Sequence, residues 1–185
     1  MRDRRCLAAF LFSVCIALLG SAWGEENLLL NPGFEDGVEP WKNAGNAAFI
    51  GRVTWHAQSS DWSVGVGNDE GVQDAYGEWS QVVQLPAVIS DETKYTFTVH
   101  MLVETSYKGK TMMKLEFQDR DGDILETAER SFRLAAGQNW QKRRLKDLAP
   151  AGTKSIRVIC RSEEMQPGTG RSVIWFDNVS LEESK

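Results

Sequence analysis

Two acidic residues near opposite ends of the chain are placed where they could share a metal ion. Glu35 follows the turn-forming residues 31–34, and Asp177 lies inside the apolar run 173–181. Such a run needs hydrogen-bonding partners in a sheet, and the segment 27–30 is the obvious candidate. Pairing the two segments would bring Glu35 towards Asp177, and two buried carboxylates repel unless a cation lies between them. The alternative is that Glu35 caps a turn and Asp177 accepts backbone hydrogen bonds.

A second group of side chains could form the floor of a ligand groove. In three predicted strands, apolar residues that face the core alternate with polar residues that face outward. The outward residues are His100, Lys114, Glu116, Gln118, Arg157 and Arg161. They form one surface if their strands share a sheet, and an ordinary solvated face is the alternative. Arginine pairs suit carboxylated or sulfated sugars, but Glu116 could neutralise them, so the ligand charge stays open.

Aromatic side chains are the other requirement of a sugar site. Sugar rings stack their apolar faces on flat aromatic surfaces, while their hydroxyls need polar partners. Tyr76 and Trp79 follow the polar loop 68–71, and Trp175 alternates with the inward-facing Ile174 and Phe176. These three are the candidate sugar platforms, with burial in the core as the alternative for each of them.

Catalysis has little support in the sequence. The chain has two histidines and three cysteines, and it contains no Gly-x-Ser-x-Gly or His-Glu-x-x-His motif. No nucleophile and base pair or zinc site is therefore recognisable. Two carboxylates could cleave a glycoside as acid and base, but the spacing identifies no such pair. Cys160 alternates with Ile156 and Val158, which predicts a small buried side chain.

The elements that must position these side chains are β-strands. Short apolar alternations recur between clusters of Gly, Pro, Asp and Asn, which predicts an all-β antiparallel sandwich or jelly roll. The predicted strands lie near residues 47–55, 62–66, 79–85, 95–103, 111–118, 124–132, 140–148, 155–161 and 173–181. The segment 119–123 resembles a calcium loop but lacks the distal Glu, so it predicts a hairpin turn.

The first 24 residues are predicted to precede the fold. Arg2, Arg4 and Arg5 form a basic start, residues 6–19 are apolar, and residues 22–24 suit a cleavage site. This pattern predicts a secretory signal peptide, so we expect an exported protein, secreted or periplasmic, without a membrane span after cleavage. Residues 25–185 suit one domain. The net charge of −5 argues against a nucleic-acid partner.

Several pieces of the chain, taken in order, resemble carbohydrate-binding modules of the family four/nine, cellulase-associated type. The pieces are 27–35 followed by Trp41, 81–85 leading to 94–97, Trp140 with 149–153, and 176–181. The resemblance implies a galactose-binding-domain-like jelly roll that is not itself catalytic and is usually attached to a glycoside hydrolase. It implies a structural calcium ion (Ca²⁺) with Glu35 and Asp177 as ligands, completed by a carbonyl from the loop around Ser60. It also implies that Trp41 and Trp140 are mostly core residues.

The leading prediction is a secreted, non-catalytic module that binds a polysaccharide or glycan on its concave sheet. A separate protein carrying a catalytic domain is a possible partner. One alternative is an exported adhesion or assembly module whose face contacts another protein or the cell envelope. Another is a small glycoside hydrolase or lyase on the same fold.

Overall fold

A computed structural model describes residues 26–59, 61–68, 72–105, 107–137, 139–165 and 172–184. Every regular element in these ranges is a β-strand. The strands are Lys42–Gly45 (β1), Phe49–Val53 (β2), Ser63–Gly67 (β3), Ala75–Gln84 (β4), Thr93–Val103 (β5), Lys110–Gln118 (β6), Ile124–Phe132 (β7), Gln141–Ala149 (β8), Ser155–Met165 (β9) and Val173–Ser184 (β10). The predicted signal segment 1–24 lies outside the described residues. Within them, no helix has the length and apolarity that a membrane crossing needs.

The ten strands form two five-stranded antiparallel sheets. The first sheet has the order β1-β4-β9-β6-β7, and the second has the order β2-β3-β10-β5-β8. The inward side chains of both sheets merge into one buried cluster, as expected of a sandwich. The predicted fold class, an all-β antiparallel sandwich of the jelly-roll type, is confirmed.

The two ends of the described chain lie side by side, as the sequence predicts. The N–H of Leu28 donates to the carbonyl of Leu181 at 2.8 Å, and the N–H of Val179 donates to the carbonyl of Pro32 at 3.0 Å. On its other side β10 pairs with β5, and the register shifts between Asp177 and Ser180. The N-terminal segment therefore continues the edge of β10 beyond the point where β3 ends.

The predicted inward faces of β5, β6 and β9 are confirmed. Their inward residues are at most 2% exposed, and they are Tyr95, Phe97, Val99, Met101, Val103, Met113, Leu115, Phe117, Ile156, Val158 and Cys160. However, β5 belongs to the second sheet, whereas β6 and β9 belong to the first. The condition for one shared outward surface is therefore met by β6 and β9 but not by β5, because alternation along a strand specifies its faces but not its neighbours.

Two local elements, one turn and one short strand, can be compared with the sequence prediction. The hairpin predicted at 119–123 joins β6 and β7, and the Asp119 carboxylate accepts hydrogen bonds from the N–H groups of Asp121 and Asp123, both at 2.9 Å. This segment is a turn that organises its own backbone. The short edge strand β1 was not predicted, because its four residues are all exposed and carry no apolar alternation.

Candidate functional site

The outer face of the first sheet collects six of the nine predicted sugar-binding residues. Cross-strand pairing sets Glu78 on β4 opposite Arg161 on β9, and Glu116 on β6 opposite Arg157 on β9. Because residues opposite one another in a pair share a face, the polar positions of three neighbouring strands line up. The predicted residues on this face are Lys114, Glu116, Gln118, Arg157 and Arg161, with Tyr76 against Arg161.

Arg157 lies at the centre of this face and is held by three partners. Its guanidinium donates to the Glu78 carboxylate at 2.9 Å, to the Glu116 carboxylate at 3.3 Å and to the Ser80 hydroxyl at 3.2 Å. Glu78 and Glu116 are each 8% exposed. A planar fork bound to two nearly buried carboxylates is fixed in direction, so this part of the face is rigid.

Arg161 extends the same network towards one end of β9. It donates to the Glu78 carboxylate at 3.1 Å and to the Glu163 carboxylate at 3.0 Å. Its guanidinium lies 4.6 Å from the centre of the Tyr76 ring, a distance suited to a cation–π contact. Burial by itself raises the pKa of Glu163, but hydrogen bonds from Lys110 and Arg161 bring the pKa below its ordinary value.

The charges on this face are balanced. The cations and acids joined by ion pairs across β4, β6, β7 and β9 are Lys110, Lys114, Arg157 and Arg161, and Glu78, Glu116, Glu129 and Glu163. Four cations and four carboxylates leave no net charge among these groups. The sequence left open whether Glu116 neutralises the arginines, and the structure places it against Arg157.

Three predicted sugar-binding residues lie elsewhere, and those assignments are corrected. Trp79 faces inward from β4, is 1% exposed and donates through its indole N–H to the carbonyl of Gly65 at 3.2 Å. In β4 the side chain of Trp79 lies on the same side as Ala75 and Val83, which also belong to the main core. His100 lies on the second sheet, and Trp175, also on that sheet, is 1% exposed beneath other aromatic rings.

Three acids of the first-sheet face were not predicted from the sequence. Glu78 bridges Arg157 and Arg161, Glu163 accepts hydrogen bonds from Arg161 and Lys110, and Glu129 pairs with Lys114. A signal for Glu78 was present, because polar residues alternate with apolar ones from Tyr76 onward. Beginning the predicted strand at Trp79 concealed it.

The outer face of the second sheet carries a separate aromatic pocket of about 720 Å³. Its lining includes Trp55, His56, Leu102, Glu104 and Trp140. Trp55 is 59% exposed, and Trp140 is half-buried against the apolar cluster around Trp175 rather than in the main core. Trp140 was expected to be a core residue, but it packs against this smaller cluster and not in the main core.

A basic surface lies on the same sheet, beside β8. The exposed cations Lys94, Lys142, Arg144 and Lys146 surround the hydroxyls of Thr96, Thr98, Ser180 and Ser184, with Glu182 as the one acid in the lining. None of these four cations forms an ion pair within the described ranges. This surface therefore differs from the first-sheet face, where each cation has a carboxylate partner.

The acid pair Glu35 and Asp177 is brought together where the chain ends meet. A β-carbon built on Gly33 would lie 3.9 Å from Glu35 Oε1 and 3.8 Å from Asp177 Oδ1. Asp177 is fully buried. Burial raises its pKa, N–H donors from Gln58, Ser59 and Asn178 oppose that rise, and the charge of Glu35 adds to it. On balance the pKa of Asp177 is above its ordinary value.

Both readings of this acid pair have support in the contacts. The carboxylate of Asp177 accepts backbone hydrogen bonds from Gln58 at 2.8 Å and Asn178 at 2.6 Å, and Glu35 accepts one from Trp62 at 3.0 Å. Neither acid has an ion-pair partner among the described residues, where no group of three or more His, Cys, Asp or Glu could hold a metal. Two carboxylates are oxygen ligands of the kind that calcium prefers, and the calcium ion stays a prediction. The predicted ligand Ser60 lies outside the described residues.

Comparisons with known proteins establish the fold. No family model matches the chain, and no curated protein matches it. Among solved structures, TmCBM61 in complex with beta-1,4-galactotriose is 20% identical, covering 86% of this chain and 99% of that one with a TM-score of 0.60. The CBM22-1 xylan-binding domain from Paenibacillus barcinonensis Xyn10C is 14% identical, covering 87% and 96% with a TM-score of 0.57.

The same architecture also occurs outside binding modules. A cyclase from Fischerella sp. TAU is 15% identical, covering 83% of this chain and 94% of that one with a TM-score of 0.57. At these identities the likeness concerns the fold, and function has to be argued from the site. The chain has the β-sandwich fold of carbohydrate-binding modules.

Proposed function

We propose that this protein is a secreted, non-catalytic carbohydrate-binding module of the family four/nine type. It binds a glycan on the outer face of the first sheet, which we propose to be the concave face of the sandwich. The observation that carries the proposal is the cluster around Arg157, where polar side chains from three strands are fixed by mutual hydrogen bonds beside the Tyr76 ring. A preorganised polar surface loses little side-chain freedom when a ligand binds. The carbohydrate-binding modules that share the fold add support.

The ligand that suits this face is a neutral glycan. The arginines already have carboxylate partners, so an acidic sugar would have to displace Glu78 or Glu116 from Arg157. A neutral sugar can instead form hydrogen bonds between its hydroxyls and these arginines and carboxylates without displacing them, and it can place an apolar face on Tyr76. A shallow site of this kind gives dissociation constants from millimolar to micromolar, about −4 to −8 kcal/mol.

An array of neutral, uronic and sulfated glycans tests the proposal. We expect binding to neutral glycans, and loss of that binding in Tyr76→Ala and Arg161→Ala. Arg120→Ala is the matched control, because Arg120 is an exposed arginine in the hairpin that follows β6. Retention of every signal by both face variants would refute the location of the site. Incubation with the bound glycan should release no reducing sugar, and its release would favour the hydrolase alternative.

A structural calcium ion belongs to the same proposal. Glu35 and Asp177 would hold it with carbonyls of the loop that precedes β3, and the ion would neutralise two acids of like charge. Its contribution is to join the first and last segments of the fold. Because a ligand bound only to the folded state stabilises by mass action, chelation should lower the melting temperature. Glu35→Gln should remove that response, and an unchanged melting temperature after chelation would exclude the ion.

The basic surface of the second sheet supports a second candidate function, contact with an acidic protein partner. The cations of this surface form no ion pair among the described residues, although the whole protein is acidic. Poly-glutamate is a suitable probe, and its binding should weaken with salt because exposed charges are screened. Arg144→Glu should abolish this binding, whereas Arg120→Glu should not. Equal effects of the two substitutions would argue against a defined surface.

A further inference from the structure

The aromatic pocket on the second sheet contains a tryptophan that is displayed rather than buried. Trp55 is the one aromatic residue among the strongly exposed large apolar residues of the described chain. Its ring stands nearly perpendicular to the ring of Trp175, with 6.3 Å between centroids, and His56 packs against Trp175 at 5.2 Å. The exposed ring therefore has a supporting layer that limits its motion.

The residues beneath Trp55 pack tightly against one another. A β-carbon on Gly65 would lie 2.4 Å from the Trp175 ring, so a glycine is needed for Trp175 to lie flat against β3. Phe49 packs against the same ring at 5.8 Å. Leu102, Val53 and Val173 belong to the same small cluster, which is separate from the main core. An apolar layer on the outer side of the second sheet therefore supports the ring of Trp175 and, above it, the exposed ring of Trp55.

The region around this pocket holds both buried side-chain polar atoms that lack a hydrogen-bond partner among the described residues. They are Oε1 of Glu104, which lines the pocket, and Nε1 of Trp175, a residue that lies beneath Trp55 and His56 and outside the pocket lining. His56 Nε2 lies 3.6 Å from the Glu104 oxygen, too far for a good hydrogen bond. Unsatisfied buried polar atoms are uncommon and costly, so the Glu104 oxygen indicates a partner that is missing from the pocket.

The Glu104 oxygen defines the chemistry of that partner. A carboxylate oxygen accepts hydrogen bonds, so it needs a donor group. A quaternary ammonium has no N–H to donate, and an anion would be repelled by the carboxylate. A hydroxyl group can donate to Glu104, and neighbouring hydroxyls on a ring with an apolar face would also use the exposed Trp55 surface.

We propose that this pocket, formed by Trp55, His56, Glu104 and Trp140 on the outer face of the second sheet, is a second saccharide-binding site. It takes a sugar ring that stacks on Trp55 and hydrogen-bonds to Glu104. The proposal rests on the proposed function for its ligand class but uses none of the residues of the first-sheet face. Two sites on opposite sheets would let one module engage two glycan chains, or two parts of one chain.

The test is a glycan array followed by titration calorimetry with beta-1,4-galactotriose, xylotriose and each glycan that the array identifies. Trp55→Ala and Glu104→Gln are compared with Tyr76→Ala and with Leu148→Ala, an exposed apolar control on the same sheet. We expect Trp55→Ala and Glu104→Gln to weaken at least one glycan roughly tenfold or more, as loss of a central tryptophan does elsewhere. Tyr76→Ala and Leu148→Ala should leave that glycan unaffected.

A second readout separates binding from folding. Glu104→Gln should melt close to the wild type without sugar, because Oε1 of Glu104 has no hydrogen-bond partner among the described residues and its 3.6 Å contact with His56 is partly exposed. If Trp55→Ala and Glu104→Gln keep all array signals, or if the array is blank, the second site is overturned. If only Tyr76→Ala keeps all signals, the first-sheet site fails while the second site stands.

Discussion

Glu78 offers the sharpest test of how the first-sheet face is held. Its carboxylate is the acceptor shared by Arg157 at 2.9 Å and Arg161 at 3.1 Å, and its side chain is 10% exposed. Glu78→Gln keeps the shape but removes the charge that joins two guanidinium groups. A hydrogen bond to a charged group contributes about 1.5–3 kcal/mol, and both arginines are partly exposed, which reduces that value. We therefore expect a loss of about 2–3 kcal/mol in the free energy of unfolding for the two bonds together.

Urea unfolding measures this loss, and Glu129→Gln is the matched control. Glu129 belongs to the same face but is 54% exposed and lies 3.7 Å from Lys114, so its removal should cost less than about 0.5 kcal/mol. Both variants should unfold with the slope of the wild type, because neither changes the surface exposed on unfolding. Equal midpoints for Glu78→Gln and Glu129→Gln would refute the view that Glu78 holds the network. Glu78→Gln should also weaken glycan binding, since Arg157 and Arg161 lose their fixed directions.

Three further predictions follow from burial. Trp79→Ala should destabilise by about 3–5 kcal/mol, as large core truncations do, whereas Trp55→Ala should cost less than about 1 kcal/mol because its ring is already exposed; similar midpoints in urea would contradict both placements. Burial raises the pKa of Asp177, so the folded protein binds that proton more tightly than the unfolded chain. In chelator, stability should therefore fall as pH rises from the ordinary carboxyl range through the raised pKa. Asp177→Asn should flatten this dependence, and parallel curves for the two proteins would rule it out. Burial also raises the pKa of the Cys160 thiol far above its ordinary value, so a thiol reagent should label Cys160 in urea but not in the folded protein; rapid labelling without urea would show that the thiol is accessible.

Much of the fold could be predicted because its signals are local. Alternation along β5, β6 and β9 identified their inward residues, and the Asp-Gly turn located the hairpin between β6 and β7. The apolar run at the end of the chain required a partner, which identified the contact between Leu28 and Leu181. The edge strand β1 escaped because an exposed strand needs no apolar pattern to be held by β4.

The candidate site was only partly predictable, because a site depends on which strands are neighbours. Arg157 and Glu116 were both expected on an outward face, and pairing of β6 with β9 brings them together. His100 was expected beside them, but β5 pairs with β8 and β10 on the other sheet. Trp175 was a candidate sugar platform with burial as the alternative, and the rings of Phe49, Trp55 and His56 cover it.

The sequence by itself determined most of the strands, the inward sides of β5, β6 and β9, and the meeting of the two chain ends. The strands and their sides follow from a period of two along a single strand, and the meeting of the ends follows from an apolar run whose backbone needs a partner. Only the tertiary structure decided which outward faces join, that Glu78 links Arg157 to Arg161, and that Trp55 is displayed over Trp175. These features depend on strand order and on loops folding across a sheet, and neither can be predicted from the spacing of residues along one strand.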